Sequence, residues 1–190
     1  MRKYIIKEVC DLANKYGGGT NTNKHGLQFE QDTSLYDAIK NAGLKTEQVS
    51  EDEAPLTHKV FQNNEFIGYI TGKKQLYKHF LNPRGVNQKE IHTKEMQPDD
   101  VFINIKEQIA YIFEKKFQNT AGSTDEKLHG CDFNKRQFQK LFEPIGYKVE
   151  YIYILNDWFK QPVYGDSLQY MTDTGCKYYF NELPLDVIGL

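Results

Sequence analysis

At 190 residues, with 39% hydrophobic and 14% aromatic side chains, the chain is long enough for one domain with a substantial core. A net charge of -2 gives no bulk basic signal for nucleic acid, although a local basic cleft beside an acidic metal site would be compatible with it. No apolar run approaches the roughly 18 residues a membrane helix needs, and the opening MRKYIIKEVC is too short and charged for a signal peptide, so a cytoplasmic protein without a membrane partner is expected.

Cys10, Cys131 and Cys176 are far apart and form no CxxC pair, which reads as three reduced structural thiols rather than a zinc site or a disulfide framework. Met1 to Tyr16 has apolar positions at helical spacing closed by Gly17-Gly18-Gly19, and the Gly/Asn/Thr tract to Lys24 reads as a loop. From His25 a second helical pattern carries Leu27, Phe29, Leu35, Ala38, Ile39 and Ala42, and Gly43 suits its stop. Glu30 falls near the start of that helix, either as a solvated first-turn carboxylate favoured by the dipole or as an acid aimed at a neighbouring site.

Lys45 to Pro55 reads as an acidic surface loop, and His58 to Gly72 as a hairpin turning at Asn63-Asn64. Lys73 to Leu81 predicts a short helix stopped before Pro83. The polar connection Asn82 to Gln97 carries Arg84, Lys89, His92 and Lys94, a loop that is either solvated or able to touch phosphates. Val101–Ile105 and Ile109–Lys116 are β-rich runs at hairpin spacing. Ser123 and Glu126 fit a capping box opening a helix through Leu128, Phe133, Phe138, Leu141 and Phe142, broken near Gly130 and ended at Pro144–Gly146. Tyr147–Leu155 is a strong strand, Gly165–Thr174 a helix, and Cys176–Phe180 a last strand. The aromatic cluster Tyr151, Tyr153, Trp158, Phe159 and Tyr164 is read as packing, with stacking of single-stranded bases as the alternative. The expected fold class is α/β (α+β mixed), with a central mixed sheet flanked by helices.

The stretch Pro98–Leu128 carries the chemistry. Residues two apart in a strand share a face, so Glu114 and Lys116 point together while Phe113 and Lys115 point the other way. Asp99 and Glu114 lie eight and seven positions from Glu107, so a hairpin centred there brings the two carboxylates level within one residue. Carboxylates and a backbone carbonyl are hard oxygen ligands of the kind Mg²⁺ takes, with room for water and a substrate phosphate. Lys116 adds a compact positive charge able to stabilise a developing phosphoryl negative charge. Asp100 follows Asp99, so either could be the ligand. The opposing reading is a hairpin end with ordinary surface charges.

Pro98-Asp99, then a strand, then Glu114-Lys115-Lys116 followed by Phe117-Gln118 and the run AGSTDEKL resembles the PD-(D/E)xK nuclease superfamily, most closely its type II restriction endonucleases. The resemblance implies a restriction-endonuclease-like αβββαβ core at about 24–156 within a single domain 1–190, with a C-terminal extension 157–190. It implies Asp99, Glu114 and the Lys115 carbonyl as ligands of one or two Mg²⁺ ions, Lys116 as the catalytic lysine, and Glu30 and Gln118 as further active-site residues. Ser123, Lys127 and Arg84 would contact DNA. The implied function is Mg²⁺-dependent hydrolysis of duplex DNA at a short specific site by a homodimer, with a companion methyltransferase as a separate protein. A repair or structure-specific nuclease of the same fold, or a non-enzymatic DNA-binding module, stands as the alternative.

Overall fold

The computed structural model describes residues 19–49, 56–120 and 125–190. The first predicted helix, Met1 to Tyr16, lies outside them. Seven strands form one sheet in sequence order: β1 (Lys45–Gln48), β2 (His58–Gln62), β3 (Glu65–Thr71), β4 (Asp100–Asn104), β5 (Ile109–Lys116), β6 (Lys148–Leu155) and β7 (Lys177–Phe180). Strands β1 to β5 are an antiparallel meander, whereas β5, β6 and β7 run parallel. Parallel neighbours need long crossovers, and the chain provides them with α5 (Cys131–Phe142) before β6 and α6 (Gly165–Asp173) before β7.

Both faces of the central strands are covered. Val101, Ile103, Ala110, Ile112, Tyr151 and Tyr153 face a core shared with Leu76, Phe80, Phe138 and Phe142. Phe102, Tyr111, Phe113, Ile152 and Ile154 face the opposite core, which includes Phe29, Leu35 and Ile39 and the C-terminal Ile188. The strands therefore read as apolar on both sides, as expected for a sheet sandwiched between layers. Among the described residues, no helix is long and apolar enough to cross a membrane.

The turn chemistry follows local backbone needs. Asn63 and Asn64 both take positive φ, 52° and 65°, as a two-residue hairpin turn requires. Asn104 Oδ1 accepts from the backbone N–H groups of Lys106 and Glu107, closing the β4–β5 loop.

Several expectations are corrected. The Gly/Asn/Thr tract is helical from Gly19, as the opening of α1 (Gly19–Asp32). The single helix read from His25 to Ala42 is two: Thr33 Oγ1 bonds back to Phe29 O at 2.6 Å, and Ser34 caps α2 (Leu35–Asn41) through Asp37 N at 3.3 Å. The acidic loop after Gly43 contributes edge strand β1, and its residues 50–55 lie outside the described ones. The helix before Pro83 is a short α3 (Lys73–Leu76) that widens into a π turn, Tyr77–Leu81, and continues through Pro83 as a 3-10 turn. A further short helix, α4 (Gln88–Ile91), interrupts the polar connection. Residues Asp125–Gly130 form a 3-10 turn, and the α-helix begins only at Cys131.

Cys131 and Cys176, distant in sequence, are neighbours. Their thiols share a hydrogen bond that lowers the Cys131 pKa and, together with burial, raises that of Cys176. The aromatic cluster after β6 is packing: Tyr151, Tyr153, Phe159 and Tyr164 are buried, and Trp158 Nε1 donates to Tyr164 Oη at 2.6 Å. None of those four rings is open to a stacked base.

Candidate active site

The site lies where β4 begins and β5 ends. Asp100 faces Phe113 across the antiparallel ladder, so one step further Asp99 stands opposite Glu114. Directly opposed residues in an antiparallel pair project to the same face, which makes the two carboxylates neighbours. Lys116, two residues on from Glu114, shares that face, and its Nζ donates to Glu114 Oε1 at 2.5 Å. Both side chains are largely covered, at 19% and 20% exposure.

Proline explains the local backbone. Continuing the same register places Pro98 opposite Lys115. Proline has no N–H to give to the ladder, so the Lys115 carbonyl receives no donor from that position. The Pro98 carbonyl is taken by Lys73 N at 2.8 Å, and the Lys115 N–H instead donates to Asp99 Oδ2 at 2.8 Å. The N–H and C=O of one strand residue point to the same edge. The Lys115 carbonyl therefore opens beside Asp99.

A glycine fixes the other side. A Cβ on Gly72 would lie 2.4 Å from the Asp99 carbonyl oxygen, so only glycine lets β3 run this close to Asp99.

Lys115 and Asp100 have a different task on the opposite face. Lys115 Nζ lies 2.6 Å from Asp100 Oδ2 with only 5% of the lysine side chain exposed. Lys115 Nζ also donates to Glu30 O at 3.0 Å, while Asp100 Oδ2 accepts from Leu35 N at 3.2 Å. Asp100 and Lys115 thereby pin the end of α1 and the start of α2 to the sheet. Asp99 acts electrostatically on Glu114, and it also lines a cleft on the α1 side together with Asp100, Glu30 and Lys115.

Glu30 sits in the last turn of α1, not near a helix start as the sequence reading had it. A carboxylate there opposes the helix dipole instead of being favoured by it, although Glu30 is exposed and solvated. The negative charges of Asp99 and Glu30 both reach Glu114. Burial raises the Glu114 pKa above the ordinary carboxylate value, Lys116 opposes this, and Asp99 and Glu30 add to it.

Gln118 is 4% exposed, and neither its side-chain oxygen nor its nitrogen has a hydrogen-bond partner. Its backbone is clasped by Asn156: Gln118 N donates to Asn156 Oδ1 at 3.2 Å and Asn156 Nδ2 to Gln118 O at 2.8 Å. Asn156 N also donates to Lys116 O at 3.3 Å. Sequence reasoning missed Asn156, whose signal was an amide placed directly after the β6 apolar run.

The expected DNA contacts are not gathered here. Ser123 lies outside the described residues. Lys127 is exposed on the 3-10 turn before α5, where its carbonyl accepts from Tyr153 Oη at 3.3 Å; a full helix N-terminus is not formed there. Arg84 packs over the Phe80 ring at 3.8 Å and donates to Phe80 O at 2.9 Å. Phe80 in turn meets Tyr147 at the start of β6, the end paired with the beginning of β5. Seven residue steps at about 3.3 Å separate that end from Lys116, or about 23 Å.

Among the described residues, no three His, Cys, Asp or Glu side chains are gathered tightly enough to hold a metal ion by themselves. The oxygen set at the site nevertheless suits Mg²⁺, which is bound through one or two carboxylates with water and substrate phosphate completing its shell. Asp99 and, from an exposed position, Glu30 repel the Glu114 carboxylate, and the Lys116 ammonium opposes them.

No family model, no curated protein and no solved structure matches this chain significantly. Fold and site together define a mixed α/β protein with a seven-stranded sheet and a half-buried carboxylate–lysine centre at the β4–β5 end.

Proposed function

We propose that the protein is a Mg²⁺-dependent endodeoxyribonuclease of the restriction type, hydrolysing phosphodiesters at a short duplex site. The observation that carries this reading is the opposition of Asp99 and Glu114 with Lys116 on the same face. An αβββαβ nuclease core would take α2, β3, β4, β5, α5 and β6, with β1 and β2 inserted before β3 and α3 and α4 inserted before β4.

Asp99, Glu114 and the Lys115 carbonyl would hold the ion, with Glu30 adding negative charge nearby. The chemistry such an ion supplies when bound is polarisation of the phosphoryl group and a lowered pKa for its water. The chain does the rest. Asp99 is oriented by the Lys115 N–H, so its carboxylate is preset before substrate arrives. The Lys116 ammonium, held by Glu114, offers a compact positive charge to the oxygens on which charge develops in the transition state. Gln118, with its amide unpaired, supplies a buried donor and acceptor beside this strand end. Asn156 keeps residues 116–118 in place. A homodimer would align two such sites with the two strands of a palindromic target.

The test is plasmid cleavage with Mg²⁺ and with EDTA, using Glu114→Ala and Lys116→Ala. Both variants are expected to lose at least a hundredfold in rate, on the order of the effect of removing one charge-stabilising group. Cleavage at wild-type rate by both would remove the assignment.

A further inference from the structure

Beside Glu114, on the α5 side of the sheet, lies a cavity of about 620 Å³. Its volume falls within the roughly 300–1,000 Å³ of small-molecule sites. Glu114 and Tyr151 line it from the sheet, and one face of α5 adds Phe133, Asn134, Gln137 and Phe138. The chain between α4 and β4, residues 92–97, lines it too.

Three features define what would fit. The apolar surface is aromatic and flat: Phe138 stacks on Tyr151 with centroids 6.0 Å apart at 27°. Phe133, a residue type normally buried, is 63% exposed at the cavity. The polar groups on the α5 side are amides, since Asn134 and Gln137 each carry an acceptor oxygen and two N–H donors, and His92 and Thr93 add polar groups from the facing chain. Asn134 Nδ2 makes a long bond to Tyr151 Oη, at 3.4 Å. The charges discourage an anion, because Glu95 and Glu114 stand against Lys94. A neutral, planar, heteroaromatic ligand with both donors and acceptors on its edge satisfies all three. A nucleobase is such a ligand.

We propose that this cavity receives one nucleobase swung out of the DNA stack next to the cleaved phosphate, stacked on Phe133 and hydrogen-bonded by Asn134 and Gln137. The placement next to that phosphate rests on the nuclease reading, because Glu114 belongs to both the cavity and the reacting site. The side chains supply what extrusion needs: stacking to replace that of the duplex, and amide edges to replace base pairing.

The experiment is saturation-transfer NMR on the full chain with each of the four deoxynucleosides at millimolar concentration. Base protons are expected to take up more saturation than sugar protons for at least one nucleoside. Phe133→Ala, a change at an exposed side chain, is expected to weaken that binding about 5- to 150-fold, the range of one lost aromatic stack. Gln137→Ala is expected to change the preference among the four bases. No saturation transfer from any nucleoside, or signals unchanged in both variants, overturns the proposal. Mg²⁺-dependent DNA cleavage, measured separately, tells the two readings apart. Cleavage without nucleoside binding removes the base cavity and leaves the nuclease; nucleoside binding without cleavage leaves the cavity and removes the nuclease.

Discussion

Gly72→Ala tests the site without touching any charged group. The φ of Gly72 is -174°, extended backbone that alanine adopts freely, so no torsional strain arises. The cost comes only from the added methyl group, which would lie 2.4 Å from the Asp99 carbonyl oxygen where ordinary contact begins at 3.4 Å. Asp99 must therefore retreat by about 1 Å, and overpacking of this kind costs about 1–3 kcal/mol. At about 2–4 °C per kcal/mol for a chain of this size, the melting temperature should fall by about 2–12 °C. Because a 1 Å misplacement of a catalytic group costs about a hundredfold in rate, cleavage should drop by that order in protein that is still folded. Gly26→Ala is the matching control. It lies in α1, a Cβ there meets nothing within 4 Å, and removing a mid-helix glycine should stabilise by about 0.5–1 kcal/mol with activity intact. Thermal unfolding and initial cleavage rates would be measured side by side. A folded, destabilised Gly72→Ala that cuts at the wild-type rate would refute the link between Asp99 position and activity.

Glu114→Gln should melt no lower than wild type without metal, because it removes a buried carboxylate whose pKa is raised by burial, Asp99 and Glu30. With the folded pKa above the ordinary 4.5, the wild type loses stability as pH rises through that folded value, and the variant should lack this loss. Adding Mg²⁺ at a hundred times its dissociation constant should stabilise wild type by about 2.7 kcal/mol and leave Glu114→Gln unmoved; equal shifts in both would separate Glu114 from the cation. Asp100→Ala strands the Lys115 ammonium, 5% exposed, and should cost about 3–5 kcal/mol in urea unfolding, partly restored by adding Lys115→Met. A loss below 1 kcal/mol would contradict the pinning role. His58 is buried against Tyr36 with Nδ1 unpartnered, and burial lowers its pKa from 6.5. Its stabilising contribution is complete above pH 6.5 and is lost as pH falls through the lowered folded value, so His58→Gln should flatten the acid limb of stability. An unchanged acid limb would place that sensitivity elsewhere.

What could be read from the sequence was local. Alternation along Ile109–Lys116 separated Lys115 from Lys116, and the β4–β5 ladder keeps them on opposite faces. Counting from Glu107 brought Asp99 near Glu114, and the observed register, extended one step past its last pair Asp100–Phe113, sets them opposite. The errors arose where two local signals competed. Glycine, Asn and Thr at 19–23 read as a loop, yet α1 runs through them. Ser34 with Asp37 three positions on was a capping signal, overridden in the reading by apolar periodicity that continued across it. Shifting the helix by that turn moved Glu30 from a supposed start to an actual end. Arg84 looked like a phosphate-seeking cation, but it lies over an aromatic ring that no spacing rule reveals. Asn156, the Cys131–Cys176 pair and the cavity beside Glu114 depend on parts of the chain brought together only by the parallel strands β6 and β7.

The two faces of one strand end carry opposite electrostatic designs. On one, Asp100 and Lys115 neutralise each other, are almost fully covered, and need nothing further. On the other, burial, Asp99 and Glu30 raise the Glu114 pKa while Lys116 opposes them. Asp99 and Glu114 against one ammonium leave one negative charge uncompensated, and exposed Glu30 adds to it from the solvent side. Partial burial of Glu114 weakens the screening of that excess. A structural hairpin end would gain by replacing one of those acids with an amide. The divalent cation proposed above would supply the missing charge. The same reasoning accounts for the break in the ladder at Pro98. A proline there costs a sheet hydrogen bond, and what it leaves is a carbonyl oxygen open beside the acids. For the proposed cation, the backbone would thus offer an uncharged ligand where another carboxylate would only deepen the repulsion.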